Sequence, residues 1–443
     1  QAIRSTLGKR VDWATYEYDD VFIAMILTIL CGGKRIDHIS KLRKKLDLIP
    51  NLKLPSHDTL GRVMKKLATE NYINETKSDY TVSYSIVNDN LPLNEMLIKS
   101  TKRLNLINTH KSYTLDIDAT FVYTKSKEAK RNCNGKSKNV HVGHSPMVCL
   151  IGNSPVYVSL RSGNAGAFSR LKEVLEDSLN LLDKEDIKIG RVRSDGALGN
   201  SKKTMEFLHE RGIIFNTRKP FKKQSLTFMK QFNDAEWSPI RIKTFHHIWD
   251  CEITEFPYQM SESENTFRII ALKAPDQKTK KLQETPEGQF LLDKGLVDKI
   301  KTLKIEDFDY TKKSNQYDGW VSHEGYKYKL LITNDFKSSP EQLILEYNKR
   351  GGTERNFDHL KNCSAWKIPP FMRLNENTVY LIVAALANNV FRASVKEFKA
   401  HVPGLYKNCT LATFKFLFID VACAYIRGEF VFYNTDIEFE KIC

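Results

Sequence analysis

The stretch Tyr113–Thr120, YTLDIDAT, decides the fold. Leu115 and Ile117 alternate with Asp116 and Asp118, and this two-residue period is typical of a β-strand. Because residues i and i+2 of a strand point to the same side, both carboxylates share one face. If other elements cover that face, burial of the carboxylates costs free energy unless a positive group pairs with them. If the strand lies at a sheet edge with one solvent-exposed face, the carboxylates stay hydrated. The pattern predicts a strand and leaves both environments open.

The sequence after this strand predicts a mixed sheet. Apolar stretches at 147–151 and 156–160 are separated by Gly152-Asn153, which is a hairpin signal. The next expected elements are a helix at 165–182, a strand at 187–193, a helix at 202–210 and a strand at 213–217. A three-stranded meander followed by crossover units predicts a mixed α/β fold, with helices flanking the sheet.

The rest of the chain divides by pattern into further regions. Residues 1–105 carry apolar residues at helical spacing, 219–335 are strand-rich, and Ser339-Pro340 is a helix start signal after which helical character resumes. A terminal helix over 411–425 and a strand over 429–433 are also expected. The predicted regions are an N-terminal helical domain (1–105), a mixed α/β core in two parts (106–218 and 336–400), a β-rich insertion (219–335) and a C-terminal region (401–443).

Composition narrows the possible partners. The 443 residues exceed a domain of about 150 residues, so several packed units are expected. Lys and Arg number 68 against 53 Asp and Glu, giving a formal charge of +15. Such a balance favours a polyanion, and nucleic acid first, as the partner.

The cysteines, histidines and apolar runs argue against a disulfide-rich protein, a zinc-binding protein and a membrane protein. The eight cysteines are scattered singly, which predicts a reducing compartment. The pairs His141/His144 and His246/His247 lack a partner pair at zinc spacing. The apolar runs 21–30 and 379–387 are shorter than the roughly 18 to 20 residues that span a bilayer. No membrane segment or signal peptide is therefore expected.

Two further features carry candidate chemistry. Asp195 ends a predicted strand, where open α/β sheets bind ligands, although a strand-end Asp is also a common turn former. A polar stripe at helical spacing consists of Tyr347, Arg350, Glu354 and Lys361. On one helix these side chains would lie within about 60° of one another. A solvated face has the same pattern, and Gly351-Gly352 implies either a helix restart or a close approach to the backbone.

These features together resemble a known family. Asp118-Ala119-Thr120 lies in the first strand, Asp195-Gly196 follows an apolar strand, and Tyr347 begins a Tyr-x2-Arg-x3-Glu-x6-Lys spacing. In this order they resemble the bacterial insertion-sequence transposases of the DDE class with a Y-R-E-K signature. The resemblance extends from the helical N-terminal part to about Phe391 and implies a ribonuclease H-like catalytic domain with a β-rich insertion.

The resemblance implies residue roles. Asp118, Asp195 and Glu354 would be catalytic and hold two Mg²⁺ ions, with Mn²⁺ as a substitute, and hard carboxylate oxygens suit both cations. Asp116 is an extra carboxylate that the motif does not require. Signature positions that contact DNA near the transposon end in this family match Tyr347, Arg350 and Lys361.

Other DNA contacts are expected outside the signature. Family members place a tryptophan of the insertion near an unpaired end base, and Trp320 is the best-positioned match, with a core tryptophan as the alternative. A basic stretch between the first two strands contains Lys125, Lys127, Lys130, Arg131, Lys136 and Lys138. It either follows a DNA backbone or forms a solvated hairpin tip.

The expected function is that of a cut-and-paste transposase. It would bind the terminal inverted repeats and target DNA, both double-stranded, as a homodimer that bridges both ends, in the bacterial cytoplasm at the nucleoid. Alternatives are an inactive or domesticated DNA-binding descendant and a ribonuclease H-like nuclease without strand transfer. All three acidic positions are filled, which argues against the inactive descendant.

Overall fold

A computed structural model describes most of the chain. The described residues are 2–77, 82–132, 141–166, 169–220, 237–243, 248–260, 263–275, 301–304, 320–323, 326–362, 364–402, 405, 409–420, 422–426 and 429–433. They form two units, one of residues 1–188 and 353–443 and the other of residues 189–352. The five-part domain division stays a prediction.

The helices and strands are numbered in chain order. The helices are α1 Ala2–Leu7, α2 Tyr18–Leu30, α3 His38–Leu46, α4 His57–Lys66, α5 Leu91–Arg103, α6 Leu171–Lys184, α7 Lys202–Glu210, α8 Pro340–Asn348, α9 Gly351–Asn362, α10 Leu374–His401 and α11 Leu411–Phe414. The strands are β1 Tyr72–Lys77, β2 Val82–Asn88, β3 Tyr113–Ala119, β4 Val122–Tyr123, β5 Lys130–Arg131, β6 Val142–His144, β7 Met147–Ile151, β8 Ser154–Arg161, β9 Ile189–Ser194, β10 Ile214–Arg218, β11 Ser238–Lys243, β12 Ile248–Gln259, β13 Thr266–Pro275, β14 Lys301–Lys304, β15 Val321–His323, β16 Tyr326–Thr333, β17 Ala422–Ile426 and β18 Glu429–Tyr433.

The sheet of the first unit is built on the predicted meander. β3 pairs antiparallel with β7, and β7 pairs antiparallel with β8 through the turn at Gly152, whose φ is +59°. β8 then pairs with β2, and β2 with β1. The hairpin of β1 and β2 corrects the expectation that residues 1–105 are helical throughout. Its strands pair with each other and dock on β8, which supplies the backbone partners that a strand requires.

Helices cover both faces of this sheet. Val148 and Leu150 of β7 belong to an apolar core with residues of α2, α5, α9 and α10. Their neighbour Cys149 points the other way, and its Sγ lies 3.6 Å from the Oγ of Ser178 on α6. The strand is therefore buried on both faces, as its unbroken apolar sequence predicts.

Helix α10 explains the second apolar run of the sequence. It is long and apolar enough to cross a bilayer, but 78% of its most apolar 18 residues are buried inside the protein. Asn389, which is fully buried, donates hydrogen bonds to Pro155 O and to Thr101 Oγ1, each of 2.8 Å. A polar side chain satisfied by two other elements is typical of a core helix.

The second unit joins a parallel pair to the predicted β-rich region. β9 and β10 are parallel and are connected through α7. β10 pairs with β16, which is followed in the sheet by β13, β12, β11 and β14. The fold is mixed α/β, as predicted. An antiparallel meander followed along the chain by a parallel β–α–β pair is the element order of a ribonuclease H-like domain.

The C-terminal prediction is partly wrong. The helix expected over 411–425 ends much earlier, with α11 at Phe414 and a π-helical turn over Lys415–Ile419. β17 then pairs with β18 as an antiparallel hairpin. Pairing with the predicted final strand therefore replaces the last part of the expected helix, since cross-strand pairing overrides the helical pattern.

Candidate active site

The carboxylate face of β3 is covered. By strand register Asp116 pairs with Leu150 and Asp118 with Val148, so both carboxylates lie on the face that packs against the helices. Asp116 is only 4% exposed, and Asp118 is partly buried. The Oδ1 atom of Asp118 accepts a 2.8 Å hydrogen bond from the N–H of Ala119. The sequence left a covered and a solvent-exposed face open; the structure shows that Asp116 lies on a covered face, so the solvent-exposed alternative is wrong for it.

The predicted polar stripe is divided between two helices. α8 ends at Asn348 and α9 begins at Gly351, and Arg350 lies in the turn between them. The N–H of Arg350 donates to Tyr347 O at 3.0 Å, which closes the end of α8. The expectation that all four signature residues share one helix is therefore corrected. The helix restarts at the two glycines, where helix propensity is poorest.

Helix α9 is fixed on the carboxylate face. Phe357 and Leu360 are 5% and 1% exposed and belong to the same core as Val148. Asn356 is 8% exposed and donates from Nδ2 to Gly152 O, at the turn between β7 and β8, over 3.2 Å. Apolar packing and one polar anchor thus hold the helix that contains Glu354.

The last turn of α9 brings a cation to Asp118. Lys361 is partly buried, and burial lowers the pKa of its ammonium, while the negative charges of Asp358 and Asp118 raise it. Helical spacing puts positions 354, 357 and 361 on one stripe. The backbone of Glu354 lies in α9, and its side chain falls outside the described part of the structure. Asp118 and Lys361 are therefore the predicted site residues that are brought together in the first unit.

Asp195 lies in the second unit, in the turn after β9. Its Oδ1 atom accepts a 2.8 Å hydrogen bond from Ala197 N–H, and Thr217 Oγ1 donates to its carbonyl. A Cβ at Gly196 would lie 2.5 Å from Pro220 Cγ, so the residue after the aspartate has to be glycine. The turn-forming role left open by the sequence is therefore present, and it fixes the carboxylate at the end of the strand.

Two other predicted residues lie in an apolar cluster of the second unit. Tyr347 is 8% exposed and packs with Ile270 and Leu331, and the ammonium of Lys329 lies 5.1 Å from its ring centroid. Trp320 is partly buried against the same cluster. Contacts of both residues with DNA stay predictions.

Other predicted positions give no site of their own. Lys136, Lys138 and the pair His246/His247 lie outside the described residues. His144 is fully buried, and burial lowers the pKa of its imidazole to about 4. Among the described residues no group of three or more His, Cys, Asp or Glu side chains is placed to hold a metal ion.

Sequence reasoning missed the anchoring role of Asn356. The signal available was its position two residues after Glu354 and four before Leu360, which puts a polar amide on the buried stripe of α9. Its acceptor, the carbonyl of Gly152, is distant in sequence, so no local pattern could identify it.

A ribonuclease H-like fold with carboxylates on its first strand agrees with the sequence comparisons. The profile of the transposase DDE domain family matches residues 109–389, which is more than half of the chain. The protein therefore belongs to the transposase DDE domain family. A search of curated proteins finds no match.

Two solved structures are similar to the chain at low identity. One is the piggyBac transposase synaptic complex with hairpin DNA, at 11% identity and a TM-score of 0.38, covering 90% of this chain and 72% of that one. The other is the Drosophila P element transposase strand transfer complex, at 16% identity and a TM-score of 0.22, covering 48% of this chain and 39% of that one.

Proposed function

We propose that the protein binds the terminal inverted repeats of an insertion sequence and catalyses metal-dependent DNA cleavage and strand transfer by cut and paste. The observation that carries this proposal is the packing of α9, which contains Glu354 and Lys361, against the carboxylate face of β3, where the charge of Asp118 acts on Lys361. A carboxylate strand facing a helix with an acid and a cation provides both metal ligands and a phosphate-binding group.

The donor chemistry fits divalent magnesium, with manganese as a substitute. Asp118, Asp195 and Glu354 would hold two ions through carboxylate oxygens, the ligands that hard cations prefer. When bound, the ions activate the attacking oxygen and stabilise the leaving oxygen of a phosphodiester. The hydrogen bond from Ala197 N–H orients the carboxylate of Asp195 for this role.

Lys361 would hold the phosphate beside the reacting one. Because its ammonium is partly buried, it is poorly hydrated, and its attraction to a phosphate oxygen is stronger than that of an exposed lysine. Arg350, in the turn before α9, would contact a second phosphate, for which the planar guanidinium is well suited. Tyr347, Trp320, Lys136 and Lys138 would add contacts near the transposon end.

Double-stranded DNA, as transposon end and as target, is the proposed partner. The charge of +15 gives sequence-independent affinity through counterion release, so that binding weakens steeply with salt. We further propose a homodimer that bridges both ends and acts in the cytoplasm at the nucleoid. Base-specific contacts would come from the helices of residues 1–105.

The test uses purified protein, Mg²⁺ and the DNA that flanks its own reading frame. Wild-type protein should cut at defined ends and join them to a second duplex. Glu354→Gln should abolish both products, because an amide is a poor ligand for Mg²⁺. Glu397→Gln makes the same chemical change at an exposed position of α10 and should behave as wild type.

Three outcomes would contradict parts of the proposal. Cleavage by Glu354→Gln at the wild-type rate would remove Glu354 from the site. Cleavage without joining by the wild-type protein would indicate a nuclease. Binding without any cleavage would indicate a DNA-binding descendant.

A further inference from the structure

The wedge loop, residues 364–373 between α9 and α10, combines buried anchors with exposed apolar side chains. Trp366 is fully buried and Phe371 is 8% exposed. Between and beside these anchors, Ile368 is 59% exposed and Met372 is 49% exposed. The loop thus presents two large apolar side chains to solvent on a backbone whose neighbouring residues lie in the core.

Hydrogen bonds hold the wedge loop in one conformation. Phe371 N–H donates to Asn377 Oδ1 over 2.9 Å, and Asn377 Nδ2 donates to Phe371 O over 3.0 Å. Trp366 Nε1 donates to Leu381 O over 3.1 Å. Ala365 has a φ of +65°, a left-handed conformation that costs a residue with a side chain about 1 kcal/mol. Strain of this kind persists where the surrounding structure fixes the chain.

A second segment supports the wedge loop from the side of β3. Met372 O accepts hydrogen bonds from Ser126 Oγ, over 2.7 Å, and from Lys127 N–H, over 3.0 Å. Ser126 and Lys127 lie between β4 and β5, a few residues after Asp118. The two segments are therefore in contact, and they follow in sequence the elements that contain Asp118 and Lys361.

Exposed cations lie on the same segment as the two apolar side chains or on the segment that contacts it. They lie on both segments and are Lys125, Lys127, Lys130, Arg131, Lys367 and Arg373. Single exposed apolar residues are common on proteins and need no explanation. Here, however, they lie on a hydrogen-bonded loop and each is next in sequence to an exposed cation, Lys367 or Arg373. This combination is complementary to DNA, which offers phosphates and an apolar base stack.

We propose that Ile368 and Met372 form a wedge that inserts between neighbouring base pairs of duplex DNA and kinks it. The proposal rests on the proposed function in taking duplex DNA as the partner and, for the position of the kink, in the phosphate contact of Lys361. Apolar side chains that enter the stack unstack a base step and bend the duplex by about 20–90°. The surrounding cations would hold the phosphates on either side of the opened step.

Chain length limits where the kink would occur. Ile368 lies seven residues after Lys361, so their Cα atoms are at most about 25 Å apart. At about 3.4 Å per base pair this corresponds to no more than roughly seven base pairs from the phosphate held by Lys361. The wedge would therefore deform the DNA next to the cut or joined position.

The test measures bending and unstacking separately from affinity. Short duplexes carry a fluorophore pair at their ends for energy transfer and 2-aminopurine in place of adenine, whose fluorescence rises on unstacking. One duplex has mixed sequence and the other has the end of the element. A rise of both signals with either duplex supports the wedge and shows which DNA it acts on.

Removal of the apolar side chains should abolish the distortion and keep the affinity. The double variant Ile368→Ser/Met372→Ser should return both signals to those of free DNA, while its Kd changes less than about threefold, because the cations remain. Ile73→Ser, a matched change at a side chain that is 72% exposed on β1, should bend DNA as wild type does. Lys367→Gln/Arg373→Gln should lower the salt slope of binding by about two.

Clear results would overturn the inference. Bending and unstacking by the double variant at wild-type levels would show that no wedge acts. Conversion of a dimer to a monomer in light scattering, with bending unchanged, would make the surface an interface between copies instead. If the wild-type protein binds neither duplex, the proposed function fails with it, whereas loss of binding confined to the double variant overturns the wedge alone.

Discussion

Lys361→Met should stabilise the protein while weakening its function. The ammonium is partly buried beside Asp118, and burial is the largest influence on its pKa, which is lowered. In the fold, therefore, the cost of removing this charge from water exceeds the attraction of Asp358 and Asp118. A methionine of similar length keeps the packing and removes that cost.

The expected magnitude is small but measurable. Replacement of buried charges by apolar side chains gains up to about 1–4 kcal/mol, and the remaining solvent exposure of Lys361 puts it at the lower end, about 1 kcal/mol. In an Asp118→Asn background the lysine has lost one favourable charge, so Lys361→Met should gain about 0.5–1 kcal/mol more. Lys399→Met, at an exposed position of α10, should stay within about 0.5 kcal/mol of wild type.

The stabilisation should depend on pH with a defined sign. A lysine whose folded pKa is lowered binds fewer protons in the native state than in the unfolded state, so the stability of the wild-type protein rises as the pH passes through the folded pKa. The advantage of Lys361→Met is thus largest near neutral pH and shrinks toward the unfolded pKa of about 10.4.

Chemical denaturation across this pH range, together with DNA binding, measures both effects. The salt slope of DNA binding should fall by about one for Lys361→Met, since one phosphate contact is lost. A loss of stability by Lys361→Met, or an equal effect in the wild-type and Asp118→Asn backgrounds, would refute the electrostatic reasoning.

Four other substitutions test the core that holds α9, the two carboxylates of β3 and a buried histidine. Phe357→Ala should cost about 3–5 kcal/mol in urea denaturation, because the ring is 5% exposed in the core that holds α9; a cost below about 1 kcal/mol would contradict that packing. Asp118→Asn should abolish metal-dependent DNA cleavage and Asp116→Asn should retain it, and the reverse order would exchange their roles. The imidazole of His144, with a pKa of about 4, stays neutral in the fold while the unfolded state takes up a proton, so the wild-type protein should lose about 3 kcal/mol of stability between pH 6.5 and 4. His144→Leu should remove this loss. A pH profile of stability that His144→Leu leaves unchanged would contradict this role of His144.

The sequence pattern predicted those helices and strands whose buried residues recur at a regular spacing. β7 is buried throughout and β3 in its middle; the unbroken apolar run of β7 and the alternation of β3 marked both as strands. The start of α8 was equally well marked, because Ser339 and Gln342 form a capping box in the structure. Local pattern marked Asp116 and Asp118 as a pair and Lys361 as part of a polar stripe, whereas the choice of Asp118 depended on the family resemblance.

Tertiary partners decided what the sequence could not predict. The hairpin of β1 and β2 leaves Ile73 and Tyr84 72% and 58% exposed, so its apolar alternation does not mark a core face. It is held instead by contacts with distant residues: Val87 of β2 is fully buried, and Asn74 of β1 donates to Ser169 Oγ over 3.0 Å. The break between α8 and α9 and the approach of Lys361 to Asp118 likewise depend on packing between segments far apart in sequence.

A shared metal site of Asp118, Asp195 and Glu354 is the central proposal, and iron-mediated cleavage of the polypeptide tests it most directly. Fe²⁺ that replaces Mg²⁺ produces hydroxyl radicals with ascorbate and peroxide and cuts the backbone beside its ligands. Cuts are expected near residues 118, 195 and 354, all suppressed together by excess Mg²⁺ and all lost in Asp118→Asn. Cuts near one of these positions that persist when the other two carboxylates are replaced would contradict a shared metal site.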